Sequence, residues 1–431
     1  MKNRAAEPHR KEIVLQSQSE GSGSNQFQKI RAAVFEQGEL MEVFEDEGGS
    51  THMVGNIYRG RVENVLPGMQ AAFVDIGLDK NAFLYVGDAI PPRFDEEDKA
   101  PIIQERIENV LKPRQELLVQ VTKEPVGTKG ARISVNITLP GRYVVLLPQV
   151  NYVGVSRKIQ DNNERTRLKD LAAAAKPEGM GVIVRTLAEG IDGDEIKDDI
   201  TQLVAYWQAL LPKIPHVSVP GLVHKDVDLI SRLIRDWIDQ DVEKITVDQD
   251  EVGKILRKAL RDIEHPAAKQ VFVVPAKDLF ANYGVDDEIR KALRSKVWLK
   301  SGGYLVIQQT EALIVIDVNT GKYVGQRSLE ETVVHTNLEA AWEIARQLRL
   351  RNLGGIIIID FIDMTTEESQ KQVIEALETA CARDKTKSQV LGLTQLGLVE
   401  MTRKKVGQTL LVRYTSPCPN CDGSGRVRGE I

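Results

Sequence analysis

The 431-residue sequence predicts a mixed α/β protein of several domains, and three observations carry that prediction. Residues 54–138 break into short apolar runs separated by glycine and proline. The last third holds two uninterrupted apolar runs joined by a long helical pattern. Between them, strand-like and helix-like stretches alternate. Composition fits this picture: 42% of residues are hydrophobic and 28% charged, a share of apolar residues far above that of disordered chains. At roughly 100–200 residues per domain, the length suggests two to four domains.

Taken in order, the first 28 residues are polar, and Gly21-Ser22-Gly23-Ser24 reads as a flexible turn or loop. Residues 31–35 and 40–44 are apolar runs flanking Glu36-Gln37-Gly38-Glu39, which predicts a hairpin whose glycine takes a positive φ. Five short strands follow near 55–62, 71–77, 82–86, 116–121 and 131–135, the pattern of a small OB-type β-barrel. Residues 87–113, charged and proline-containing, read as a long connection. Residues 143–147 and 181–186 look like strands, with a helix near 166–176 between them. Helical spacing returns over 195–211 and 226–239. No fixed-period repeat is visible.

The clearest signal is Ala312-Leu313-Ile314-Val315-Ile316-Asp317, then a helix from Ser328 to Arg351, then Ile356-Ile357-Ile358-Ile359-Asp360. Ser328 and Glu331 stand at capping-box spacing, and Gly354-Gly355 marks the helix end. This predicts a right-handed βαβ unit with both strands interior to a sheet. Parallel strands end on the same edge, so Asp317 and Asp360 are expected side by side if the strands are adjacent. Two converging carboxylates repel unless a cation compensates them, and hard oxygen ligands suit Mg²⁺ or Mn²⁺. Alternatively, each Asp simply starts a turn or caps a helix; two such strands joined by one helix, with Asn319 two residues after the first Asp, favour weighing the metal reading beside it. Asp363 reads as a further carboxylate or, by preference, as the cap of the next helix. His335 reads as a packing residue.

In the barrel, Phe73, Phe83, Tyr58, Arg59, Arg61 and Lys129 combine aromatic and basic character, which suits stacking of single-stranded bases. The other reading places one or both phenylalanines in the barrel interior, and alternation alone does not separate the two. Near the C-terminus, Cys418-Pro419-Asn420-Cys421 precedes a Gly-x-Gly and reads as a zinc knuckle. One pair supplies half of a four-ligand site, so two chains sharing zinc would complete it; a metal-free C-x-x-C is the alternative. Cys381 reads as buried and inert. Three cysteines exclude a disulfide scaffold and point to a reducing cytoplasm. The N-terminus does not read as a signal peptide, and no stretch is apolar enough to span a membrane, so a soluble protein is expected. A net charge of −5 argues weakly against a generic nucleic-acid coat.

Five segments together resemble the ribonuclease E/G family. They are GNIYRGRVENVLPGMQAAFVDIGLDKNAFL at 55–84, GMGVIVRT at 179–186, IDVNTG at 316–321, NLEAAWEIARQLRLRNLGGIIIIDFIDM at 337–364 and CPNCDGSG at 418–425. The likeness runs from about residue 30 onward, matches the catalytic part, and lacks the scaffold tail of longer members. It implies a cytoplasmic endoribonuclease that cuts single-stranded RNA in rRNA processing and mRNA decay, leaving a 5′-phosphate and a 3′-hydroxyl, and that favours 5′-monophosphorylated ends. The implied fold is an RNase H-like subdomain interrupted by an OB-fold domain and a 5′-sensor, then a DNase I-like catalytic subdomain and a zinc link. On this sequence the parts fall at 1–28 (flexible segment), 29–53 and 231–290 (RNase H-like), 54–135 (OB fold), 136–230 (sensor), 291–414 (catalytic) and 415–431 (zinc link). By motif position, Asp317 and Asp360 match the Mg-binding catalytic carboxylates and Asn319 their partner. Arg185, Thr186, Gly141 and Val145 match the 5′-phosphate pocket, and Phe73, Phe83 and Lys129 the RNA-gripping positions. Cys418 and Cys421 match a zinc site shared between chains, which implies a homodimer or a tetramer of such pairs. A non-catalytic RNA-binding or filament-forming protein on the same fold, and a phosphatase acting on small substrates, are the alternatives.

Overall fold

The computed structural model describes residues 10–20, 27–46, 53–91, 105–125, 129–226, 228–321, 329–421 and 425. The chain divides into two units: residues 1–48 with 239–431, and residues 49–238.

The first unit holds two sheets. In one, the hairpin Phe27–Glu36/Glu39–Asp46 turns at Gln37 and Gly38, both at positive φ (53° and 79°), as two-residue hairpin turns require. Strand Lys11–Glu20 pairs antiparallel with Phe27–Glu36 and parallel with Val242–Val247, and Val271–Val273 forms the outer edge. A strand thus occupies 11–20, inside the stretch read as a flexible N-terminus. Its centre, Ile13-Val14-Leu15, is wholly buried, and that burial outweighs the polar composition around it. Gly21-Ser22-Gly23-Ser24 lies outside the described residues.

The second sheet runs in the order Lys296–Trp298, Tyr304–Gln309, Leu313–Asn319, Gly355–Asp360, Val399–Arg403, Ser388–Leu393. Leu313–Asn319 and Gly355–Asp360 are parallel, adjacent and interior, joined through helix Leu329–Leu350. Ile314, Ile316, Ile357 and Ile359 pack on one face against Ala340, Ala341 and Ile344 of that helix and Val373 and Leu377 of helix Glu367–Ala382. On the opposite face Ile356 is 53% exposed, so among the described residues the sheet is covered on one side. Cys381 is buried in the second helix, and its thiol is pushed up to about 12 by desolvation. Ser328 lies outside the described residues, so the capping box falls there too. At the helix end the left-handed residue is Asn352 (φ 50°), not the glycine pair. Gly354 serves close approach instead, since a Cβ there would stand 2.9 Å from the Lys404 carbonyl oxygen, and Gly355 takes a positive φ of 115° as the next strand begins.

The second unit contains a closed five-stranded barrel in the order Ile57–Leu66, Ala71–Asp75, Ala82–Tyr85, Arg132–Ser134, Glu116–Lys123 and back to the first strand. All its pairings are antiparallel except Ala82–Tyr85 with Arg132–Ser134, and Gly221–His224 adds outside on the first strand. The same unit holds a four-stranded sheet, Val153–Val155, Gly181–Val184, Val144–Leu147, Leu139–Pro140. Helices Asn162–Ala175 and Gly193–Leu210 bury its Val144, Leu146, Val182 and Val184. Among the described residues no helix is long and apolar enough to cross a membrane.

Candidate functional site

The parallel register sets Asp317 directly opposite Asp360. Side chains alternate across a strand and paired residues share a face. Because Ile316, Val318 and Ile359 point into the core, both carboxylates stand on the uncovered face, at the carboxyl ends of the two strands. Asn319 lies on that face too, and its Nδ2 donates to Asp317 Oδ2 at 2.8 Å, which fixes the carboxylate's rotation. Among the described residues no cluster of three or more His, Cys, Asp or Glu is placed to hold a metal. A pair of carboxylates is nonetheless the donor set that suits Mg²⁺, which keeps several waters and takes substrate phosphate oxygens as further ligands.

One residue that the sequence did not single out holds this edge in place. Asn337, fully buried on the long helix, donates from Nδ2 to the Ile362 carbonyl (2.8 Å) and accepts from the Ile362 N–H at Oδ1 (3.1 Å). It thus clamps the backbone two residues beyond Asp360. A buried amide on an otherwise apolar helix face was the signal available in the sequence. Asp363 is exposed and does not cap the following helix; Thr366 does, accepting from the Ser369 N–H. His335 is exposed rather than packed, and it lines a cavity of about 930 Å³ that includes neither Asp317 nor Asp360.

In the barrel, Ala72, Val74, Ala82 and Leu84 are buried, so the intervening Phe73 and Phe83 face outward. They are paired across the ladder, with ring centroids 6.1 Å apart and edge-on at 68°. This decides between the two readings in favour of an outward aromatic pair. Lys129 is exposed, three residues before the Arg132 that pairs with Phe83. Tyr58 is not part of that surface: it is buried in the barrel, within 3.4 Å of the Asn56 amide. Arg59 is tied to Glu116 at 2.7 Å and donates to the Pro215 and Val217 carbonyls.

In the four-stranded sheet, Arg185 follows strand Gly181–Val184. One guanidinium nitrogen donates to the Gly141 carbonyl and the other to Asp236, each at 2.6 Å. Burial alone would raise the Asp236 carboxyl, but Arg235 and Arg185 hold it below the usual range. Thr186 Oγ1 lies 2.8 Å from Ser156 Oγ, a second hydroxyl that the sequence did not single out. Gly141 is required by close approach: a Cβ there would meet Asp199 Oδ1 at 2.5 Å. Asp199 accepts backbone N–H groups from Arg142, Tyr143 and Val144, while burial keeps its carboxyl above the usual range. Val145, opposite Ile183, faces away from the helices. Arg185, Thr186, Gly141 and Val145 therefore gather at one end of one sheet.

Cys418 is exposed and Cys421 half-buried. The Cys421 N–H donates to the Cys418 carbonyl (3.4 Å) and the Gly425 N–H to Cys421 Sγ (3.3 Å). A tight turn with an amide aimed at sulfur suits a thiolate ligand pair.

A closed barrel with an outward aromatic pair, in one chain with a sheet that ends in paired carboxylates, has the parts of a nuclease. The model of the ribonuclease E/G family matches residues 138–406. Ribonuclease G of Escherichia coli (strain K12) is 42% identical over 411 residues, covering 93% of this chain and 82% of that protein. Ribonuclease G of Haemophilus influenzae is 43% identical over 406 residues, with the same coverage. Ribonuclease E of Nostoc sp. is 43% identical over 407 residues, spanning 93% of this chain and 58% of that longer protein. The chain belongs to the ribonuclease E/G family.

Proposed function

We propose that this protein is a Mg²⁺-dependent endoribonuclease that cleaves single-stranded RNA in RNA processing and decay and is stimulated by a 5′-monophosphate. The observation that carries the reading is the in-register pair Asp317–Asp360 on the open edge of the sheet, with Asn319 bonded to Asp317. Asp317 and Asp360 would hold the ion, and Asn319 keeps the Asp317 carboxylate turned toward it. When bound, the ion supplies charge neutralisation at the scissile phosphate and a lowered pKa for water. Water adds to phosphorus as the P–O3′ bond breaks; O3′ leaves with a proton, giving a 3′-hydroxyl and a 5′-phosphate.

Phe73, Phe83 and Lys129 grip the strand by stacking and charge, without reading sequence. Arg185, oriented by Asp236 and the Gly141 carbonyl, with Thr186 beside it and Gly141 and Val145 completing the pocket, takes a terminal phosphate through charge-assisted hydrogen bonds. The five-stranded sheet of the first unit, with its three antiparallel and two parallel strands, supports an RNase H-like subdomain over the expected 29–53 and 231–290, to which strand Lys11–Glu20 is added. The assignments of 54–135 to the OB fold, 136–230 to the sensor, 291–414 to a DNase I-like subdomain and 415–431 to a zinc link complete the reading. Cys418 and Cys421 from two chains would share one zinc in a cytoplasmic homodimer.

The test is cleavage of a short single-stranded RNA bearing a 5′-phosphate or a 5′-hydroxyl, with and without Mg²⁺. Cleavage that needs Mg²⁺ and runs faster on the 5′-phosphate supports the proposal. Cleavage in EDTA removes the metal assignment, and equal rates on the two substrates remove the sensor.

A further inference from the structure

The uncovered sheet face carries more than the carboxylates. Register places Lys296, Val306, Asp317 and Asp360 in one row across four neighbouring strands, and Trp298, Tyr304 and Asn319 in the row beside it. Val297, Leu305 and Ile307 pack into the core, so Lys296, Trp298 and Tyr304 project on the same face as the two Asp residues. With neighbouring strands about 4.8 Å apart, Tyr304 stands one strand from Asn319 and Trp298 two. The three side chains form one cluster. The Lys296 ammonium lies 3.5 Å from the Tyr304 ring centroid and 4.2 Å from that of Trp298, and the two rings meet edge to face at 5.4 Å. Trp298 is nonetheless 64% exposed, an unusual position for so large an apolar surface. Among the described residues Lys296 makes no ion pair; it is spent on the rings. The hairpin that carries the cluster is held from behind: Glu339 of the long helix accepts the backbone N–H groups of Lys300 and Ser301.

We propose that Trp298 and Tyr304, with Lys296, form a base-stacking subsite that seats a nucleobase flanking the scissile phosphate. The proposal rests on the reading of Asp317 and Asp360 as the catalytic carboxylates. The chemistry selects the occupant. A flat indole open to solvent stacks on any base, whereas an ammonium beside it complements the phosphate that comes with that base. Such a cation, in the same row as the two carboxylates and two strands from Asp317, also offsets part of their repulsion of an incoming phosphodiester. Because every base presents a π-face, the subsite positions the strand and does not select sequence.

The experiment uses the full chain and a set of short single-stranded RNAs, each with one abasic ribonucleotide at a different position around the cleaved bond. Stacking by one base predicts that the unsubstituted protein loses between about five- and a hundredfold in kcat/KM at one flanking position. The double variant Trp298→Ala/Tyr304→Ala is expected to lose a similar factor on intact RNA and nothing further when that position is abasic. Trp298→Phe should retain most activity. In EDTA, single-stranded RNA should quench the tryptophan fluorescence of the unsubstituted protein and quench that of Trp298→Phe less. This binding readout is independent of the carboxylates, so an active Asp317→Asn variant with quenching intact would fault the metal reading alone. The subsite is overturned if the double variant cleaves every substrate like the unsubstituted protein, or stays sensitive at the same abasic position. It is equally overturned if the double variant changes only the oligomeric state by light scattering, which would mark the face as a protein contact.

Discussion

Replacing Asn337 with alanine should damage the carboxylate edge proposed to hold Mg²⁺ without touching it. The side chain makes two hydrogen bonds to the backbone of Ile362, at 2.8 and 3.1 Å, from a fully buried position. Alanine leaves that N–H and C=O without partners, and each unpaired group costs about 1–3 kcal/mol, so the clamp is worth roughly 2–6 kcal/mol. For a unit of this size each kcal/mol shifts the unfolding midpoint by about 2–4 °C, which predicts a fall of roughly 4–24 °C. Part of that loss should appear locally, as freedom of the chain just beyond Asp360. The half-saturating Mg²⁺ concentration for cleavage is then expected to rise by about ten- to a hundredfold, as it does when groups that orient metal ligands are removed, with activity partly recovered at high Mg²⁺. Thermal unfolding by circular dichroism and a Mg²⁺ titration of cleavage measure the two effects. A variant that unfolds several degrees early yet keeps the normal Mg²⁺ dependence would refute the reasoning, because the clamp would then be structural only.

Other expectations follow from the same geometry. Asp236→Asn removes the charge that orients Arg185, so the rate advantage of a 5′-phosphate over a 5′-hydroxyl should shrink several-fold while cleavage of the 5′-hydroxyl RNA holds; an unchanged ratio would detach Asp236 from the sensor. Phe83→Ala exposes no core, so it should weaken single-stranded RNA binding by about five- to a hundredfold at an unaltered unfolding midpoint, and a large drop in that midpoint would return Phe83 to the barrel interior. Burial depresses the His224 imidazole, whose Nδ1 lies 2.6 Å from the Tyr206 hydroxyl, although Asp226 opposes the shift. A histidine held below its unfolded value stabilises the fold above about pH 6.5 and loses that contribution as pH falls through the folded value. Denaturant midpoints should therefore decline on acidification below pH 6.5, and less so in His224→Gln.

Much of the architecture was legible because its signals are local. The βαβ unit announces itself through two apolar runs with a long amphipathic helix between them, and the hairpin at Gln37-Gly38 through its turn chemistry. Pairings between distant segments were not legible. Lys11–Glu20 lies between Phe27–Glu36 and Val242–Val247, and the second partner is more than 200 residues away, which local composition does not report. Alternation left Phe73 and Phe83 undecided because small and aliphatic residues flank both on either side; only closure of the barrel decides which face is inside. Tyr58 failed in the opposite sense, since aromatic character next to arginines suggested a surface that its burial excludes. Lys296, Trp298 and Tyr304 escaped notice because their relation to Asp317 exists only across the ladder. The capping choice at 363–366 turned on which side chain reaches the Ser369 N–H, a matter of backbone course that residue type does not fix.

The central claim is that Asp317 and Asp360 together hold the ion at which RNA is cut, and one comparison tests it most directly. Asp317→Asn, Asp360→Asn and the double variant would be assayed on a 5′-phosphorylated single-stranded RNA across a Mg²⁺ titration, with circular dichroism and RNA binding in EDTA as controls. Each single variant is expected to fold, bind RNA and lose at least about a hundredfold in rate, and the double variant to lose little more, since the two carboxylates act as a unit. Either single variant cleaving at the full rate with the ordinary Mg²⁺ dependence would contradict the account.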